Sequence, residues 1–491
     1  MNETTILLVI AFYFGILLII SHFIGKKNSG NSAFFLGNRK SPWLVVAFGA
    51  IGSSLSGVSF VSVPGMVRSF DMTYMQMVFG FLLGYAVITF VLLPLYYKLQ
   101  LVSIYTYLEQ RIGRRAYKTG ASFFLLSRTV GAATRMYVAI LVLQTYIFDK
   151  WHIPFELTTI VFLLLIWLYT HRGGVMTIVW TDLLQTFFLL AALCIIIFQV
   201  AKGMNLDFGQ ALASIKESPH SRIFVFDDWH SRQNFFKQLL SGMFITIAMT
   251  GVDQEMMQKN LSCRSLKESQ KNVFTSSLFF IPVNFLFLGL GILLLNYAGM
   301  FGITLPESND SILPLMVSNG YFGNLAVLFF AIGIIAVTFA SVDSAITGLT
   351  TSIYIDILEI DKLPEKQNKK VRDRIHLGIS VVFIFIILIL KEMNSNSLID
   401  TFYTIISYTY GPLLGLFGFG ILFKKRQTND KAVPWICVAA PVFCFALSKM
   451  LNTIAAYQFG YEILILNSLL VMAGLFFFKK KDNFCHSKTN T

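Results

Sequence analysis

Apolar runs of about 20 residues, long enough to cross a ~30 Å hydrocarbon core, recur from one end of this sequence to the other. Their polar interruptions predict spans at 4–24, 43–68, 74–97, 119–147, 155–171, 175–201, 236–258, 272–298, 323–357, 375–391, 397–423, 433–457 and 461–478. That makes about 13 transmembrane helices of the length lipid demands, and hence an all-α membrane protein. Composition agrees. With 55% hydrophobic, 15% aromatic and 13% charged side chains, the 491 residues are too apolar for a soluble protein of this size. The first run, Thr4 to Phe23, lacks a basic segment before it and a small-residue cleavage site after it, so it reads as a retained helix.

Basic residues then set an orientation. With the N-terminus outside, alternate loops fall inside, where Lys and Arg should gather. On that count 28 of the 39 basic residues lie inside and 8 outside, with Arg128, Arg135 and Lys449 within spans. Lys26, Lys27, Arg39 and Lys40 open the inside series. Arg111 to Lys118, Arg172, Lys259 to Lys271, Lys362 to Arg374, Lys424 to Lys431 and Lys479 to Lys488 continue it. The expectation is a multi-pass protein of the cell (inner) membrane, N-terminus outside and C-terminus cytoplasmic. The formal charge of +13 reports this topology, so no nucleic-acid partner is needed to explain it. The longest aqueous stretch, 203–233, is too short for a fused kinase or hydrolase. Five cysteines are scattered without disulfide or zinc spacing, and no obligate protein partner is evident.

Two anomalies distinguish these spans from passive anchors. One is a weak helix, Phe48 to Phe60, crowded with glycine and serine and followed by Ser62, Pro64 and Gly65. Each interior glycine costs about 1 kcal/mol, and serines compete for backbone bonds, so unwinding midway is predicted. Unwound backbone at membrane depth is tolerated where it lines a cavity, and its carbonyls can coordinate a cation; small residues also simply permit close helix packing. The other anomaly is charge inside lipid: Asp182, Asp253, Asp343, and Arg128 with Arg135, seven residues apart and on one helix face. Asp343 lies among Ala340, Ser341, Ser344 and Gly348, a small, oxygen-bearing stripe suited to a hard cation.

The segments Gly173 to Gln185, Asp253-Gln254 with Gln258 to Leu261, Leu313-Pro314, Ala340 to Ser344 running on to Asp356, and Ser407 to Leu416 resemble the sodium/solute symporter family. The likeness runs in order from about Phe35 to Lys425. Its most specific part is Trp180-Thr181-Asp182 followed by Ser341-Val342-Asp343-Ser344. The resemblance implies a LeuT-like fold. An extra helix at 4–24 would precede a 5+5 inverted repeat at 43–201 and 236–423, with two closing helices at 433–478 and a cytoplasmic tail at 479–491. An independent feature agrees: the weak helix and the Asp253 helix lie five spans apart, at equivalent repeat positions.

Carried over residue by residue, the resemblance implies a main sodium site at the carbonyls of Gly52 and Leu55 together with Val337, Ala340 and Ser341. Alanine at 340 leaves the hydroxyl ligand to Ser341. A second sodium site is implied at Asp182, Ser341, Asp343 and Ser344, so one or two ions fit the pattern. The solute is implied beside the weak point near Ser54, Ser56 and Ser59, with Arg135, Asp253 and Gln254 around it. Sugar-binding members carry acidic and amide side chains where this chain has Val58, Ser59 and Val78. Arg135 instead resembles in position an arginine that grips the carboxylate in sialic-acid-transporting members, a role that guanidinium geometry suits; its competing role is an architectural pair with Asp182.

The function implied is secondary active sodium:solute symport of a small organic solute into the cell by alternating access. A carboxylated solute such as a sialic acid is favoured, and a neutral sugar or polyol is the alternative. Sodium is the coupling ion, the bilayer is the surrounding partner, and no other cofactor is expected. Rival classes are an ion channel and a flux-free sensor of the same fold. A membrane-embedded enzyme would have only the external Asp227-Asp228-Trp229-His230 cluster for its chemistry.

Overall fold

The computed structural model describes residues 3–27, 30–171, 173–360, 365–393, 398–455, 457 and 459–479. The expected tail beyond Lys479, and the inside charges Arg172 and Lys362, lie outside the described residues. Among the described residues the regular structure is helical, with two isolated bridges, Ser41 to Cys263 and Thr428 to Lys479. Eight helices are long and apolar enough to cross a membrane. Two further pairs qualify when joined across a bend, and Phe155–Thr170, Ile406–Leu422 and Glu462–Phe477 are shorter apolar helices.

The span Gly323–Ile357 forms the axis of the bundle, with 78% of its apolar window buried, against 28% in the first helix. It packs most extensively on Val175–Gly203. Phe12, Phe90, Phe198, Phe385, Trp435 and Ile454 are exposed on the outside, the apolar surface that contact with acyl chains requires. Two helices begin earlier than the spans expected at 119 and 272, as Arg114–Tyr146 and Leu266–Phe301. Their first turns are polar, and Ser265 Oγ caps the second of them by accepting from Glu268 N at 3.3 Å.

Both helices that matter most for function are broken. The span expected at 43–68 is two helices, Trp43–Ser54 and Gly57–Phe70, meeting at 62° with Leu55 and Ser56 extended between them. This is the unwinding that its glycines and serines predict. The span expected as one helix at 236–258 is also two: Phe235–Gly251, ending in a π-turn, and Gln254–Asn260, bent by 73°. Asp253 accounts for the second start. Its carboxylate accepts from Glu255 N at 2.9 Å and Met256 N at 3.2 Å, the N-cap role that the short acid fills well.

Candidate functional site

The first break sits where three helices meet on one glycine. A Cβ at Gly57 would lie 2.5 Å from Thr338 Oγ1 on the axial helix and 2.9 Å from Ala139 Cβ on Arg114–Tyr146. Only the missing side chain lets the break reach both. Below it, Gly49 and Gly52 bring the first half equally close to Val175–Gly203. A Cβ at Gly49 would meet Asp182 Cβ at 2.8 Å, and one at Gly52 would meet Thr186 Oγ1 at 2.3 Å. Thr186 Oγ1 also accepts from Gly52 N at 3.1 Å. The first-half backbone is therefore pinned along one face against Val175–Gly203.

Its carbonyls are another matter. Leu55 N closes the last turn on the Ile51 carbonyl at 3.2 Å, and Ser59 N is taken by Ser56 Oγ, also at 3.2 Å. Among the described residues no backbone amide donates to the carbonyl of Gly52 or of Leu55. Val337, Ala340 and Ser341 are buried on the helix that packs against this break. Ser341 Oγ is presently turned inward, donating to the Thr338 carbonyl at 3.0 Å. Carbonyl oxygens beside a buried hydroxyl are hard, neutral ligands, suited to a cation of low charge.

At the second break the freed carbonyls are covered. Tyr96 Oη donates to the Gly251 carbonyl at 2.9 Å, and Tyr105 Oη to that of Val252 at 3.1 Å. Charges secure the rest. Asp253 Oδ2 accepts from Tyr410 Oη at 2.6 Å and lies 3.7 Å from Arg128 Nη1, while Arg128 Nε is paired with Glu255. All four side chains are buried. Gly348 of the axial helix makes room for this cluster, since a Cβ there would meet Glu255 Cβ at 2.8 Å.

The structure places the remaining candidates as follows. Asp182 is buried, and its Oδ2 accepts from Lys259 Nζ at 2.7 Å. Lys259, counted as a loop charge from sequence, is instead buried on the bent half-helix Gln254–Asn260. Asp343 accepts from Tyr169 Oη at 2.7 Å and Ser344 Oγ at 3.0 Å. Ser344 Oγ also reaches the Ala340 carbonyl at 2.8 Å. Ser54 ends the first half-helix, and Ser56 caps the second, its Oγ 3.3 Å from Ser59 Oγ. Arg135 is buried, with Nε donating to the Gly131 carbonyl at 3.3 Å. Ala139, the residue that touches Gly57, is one turn beyond it on the same face.

Gln254, expected near the solute, bonds the loop backbone with its amide, accepting from Ile104 N and donating to the Val102 carbonyl, both at 2.9 Å. A side chain so engaged braces a loop. Asp253 likewise works as cap and ion-pair partner. Sequence reasoning missed Lys259, Glu255, Tyr169 and Tyr410. Only Glu255 left a signal, as an acid in the first turn after a capping Asp. The Asp227-to-His230 cluster is an exposed turn in which Asp228 Oδ1 accepts from His230 N and Ser231 N at 2.8 and 3.0 Å. Those backbone donors hold the Asp228 carboxyl below its usual range, and Trp229 stacks on Phe236.

Residues 34–433 match the Sodium:solute symporter family. The chain is 24% identical to the sodium/sialic acid symporter NanT of Aliivibrio fischeri over 449 residues, covering 90% of this chain and 87% of that protein. It is 25% identical to the sodium/sialic acid symporter SiaT of Proteus mirabilis over 442 residues, covering 87% and 86%. Its fold is similar to a solved Na+-coupled sialic acid symporter in a substrate-bound outward-open state, with a TM-score of 0.81, 18% identity and 96% of each chain covered.

Proposed function

From the premise that this chain belongs to the sodium:solute symporter family, we propose that it carries a small carboxylated solute of the sialic-acid class into the cell together with sodium. The observation that carries the sodium part is the difference between the two breaks. Gly52 and Leu55 offer open carbonyls beside Ser341, whereas Gly251 and Val252 are capped by tyrosines. The main sodium site in this reading is formed by Gly52, Leu55, Val337, Ala340 and Ser341. Two of the chain's relatives are sodium/sialic acid symporters, which supports the solute class.

Arg135 is the residue that would take the carboxylate. Its Cα lies one turn from Ala139, the residue that touches Gly57, on the same helix face. Asp182, the partner weighed against that role, accepts from Lys259 Nζ at 2.7 Å. Sodium between the first break and the axial helix would fix the angle of the break and so complete the solute site. Coupling is reciprocal, so solute must tighten sodium by the same factor. Release would follow as the repeats at 43–201 and 236–423 rock past each other in a cell (inner) membrane, with the N-terminus outside and the C-terminus cytoplasmic.

The test is uptake of a labelled sialic acid into proteoliposomes under an inward sodium gradient. Saturable, sodium-dependent uptake is expected. Arg135→Gln should raise the half-saturating concentration roughly 10- to 100-fold, since hydrogen bonds to a charged group are worth about 1.5–3 kcal/mol. An unchanged half-saturation for Arg135→Gln would sink the carboxylate reading, and flux that never saturates would indicate a channel.

A further inference from the structure

We infer that Lys259 serves as a tethered cation on Asp182, taking the place that a second sodium would hold, so that this carrier couples a single sodium per cycle. The inference rests on the proposed sodium symport and fixes its stoichiometry. Asp182 is the one aspartate expected at a second sodium site that carries a full ion pair. Its side chain is 2% exposed, that of Lys259 is 6% exposed, and Nζ lies 2.7 Å from Oδ2. An ammonium is a compact point charge with three donors, chemically the closest a side chain comes to an alkali cation. It reaches Asp182 because the second broken helix bends by 73° and swings its short half inward.

The remaining oxygens of the expected second site are held in place by the protein and carry no cation of their own. Gly49 packs directly on Asp182 Cβ. Position 340 has no hydroxyl, Ser341 Oγ donates to the Thr338 carbonyl, and the single Ser344 hydroxyl proton is shared between the Ala340 carbonyl and Asp343. Asp343 is held by Tyr169 from a third helix. The charged groups around Lys259 are Asp182, Asp343 and Glu255, and Glu255 is engaged by Arg128. A sodium brought to Asp182 would sit beside the ammonium in a site that water does not screen, and like charges there repel strongly. Lysine and sodium therefore exclude each other at this carboxylate.

Equilibrium binding of radioactive sodium to the purified full chain in lipid nanodiscs tests this without knowing the solute. The wild type should bind one ion per chain with a Hill coefficient near one, and Lys259→Arg should do the same. Lys259→Met, similar in length but uncharged, should bind two with a steeper isotherm. That variant leaves a buried carboxylate unpaired, so the double variant Asp182→Asn with Lys259→Met, which removes both charges, guards against misfolding and should again bind one. Two ions in the wild type, one in a folded Lys259→Met, or none in a folded double variant would each overturn the inference. A wild type that binds no sodium would overturn the symport reading and this inference with it, whereas two ions in the wild type would leave that reading intact and overturn this inference alone.

Discussion

At Leu55 and Ser56 the chain leaves its helix among glycines and serines and keeps two carbonyls open, whereas at Val252 the second interruption is closed by two tyrosines, a capping aspartate and Arg128. Both stretches interrupt a helix inside lipid, where every backbone group must find a partner. The first break keeps its polarity for a ligand, while the second satisfies it with protein. An unwound helix is thus not in itself a binding site. What decides the matter is whether the freed oxygens already have donors.

The strongest challenge to this contrast is Arg128→Met. It leaves Asp253 and Glu255 buried with no cation, and breaking such a pair costs about 3–5 kcal/mol. A marked fall in thermal unfolding midpoint is expected; unchanged stability would mean that charge does not hold the second break. Next comes Gly57→Ala, whose Cβ would crowd Thr338 and Ala139. Overpacking of about 1–3 kcal/mol, aimed at the first break, should raise the sodium needed for half-maximal uptake roughly 5- to 150-fold. If only stability fell and the sodium dependence did not move, the junction would be structural.

Ser341→Ala removes the one hydroxyl of the proposed main site and should weaken sodium about fivefold, for ~1 kcal/mol, with little change in unfolding. Smallest is Tyr105→Phe, which uncaps the Val252 carbonyl. A loss near ~0.6 kcal/mol, typical of hydrogen bonds within membranes, should appear in stability and leave sodium affinity alone. Sodium affinity that shifted with Tyr105→Phe would erase the distinction between the two breaks.

The first break was legible because its cause is local: glycine and serine lower helix propensity wherever they stand. Asp182 and Asp343 were legible because any carboxylate in an apolar run needs a reason. The second break was hidden by composition, since Phe235 to Met257 reads as one apolar run around Gly251 and Asp253. Lys259 was misplaced for a related reason. A lysine at the end of a straight span would reach the lipid interface, but this one is carried inward by a bend that hydropathy does not register. Tyr96, Tyr105, Tyr169 and Tyr410 read as ordinary aromatic packing. Their partners lie 147 to 174 residues away in sequence, so nothing nearby announces that their hydroxyls close a network.

The pairing of Lys259 with Asp182 also bears on energetics. An ammonium covalently fixed to the carrier returns with it in every cycle and delivers nothing to the cytoplasm. On the proposed stoichiometry, one sodium travelling beside one solute carboxylate would make an electroneutral load. The ~2.3 kcal/mol per charge that 100 mV would contribute drops out, leaving the sodium concentration ratio as the only source of accumulation. Clamping proteoliposomes with potassium and valinomycin should therefore leave the steady-state accumulation ratio unchanged, and accumulation that climbs with inside-negative voltage would reveal a second ion crossing.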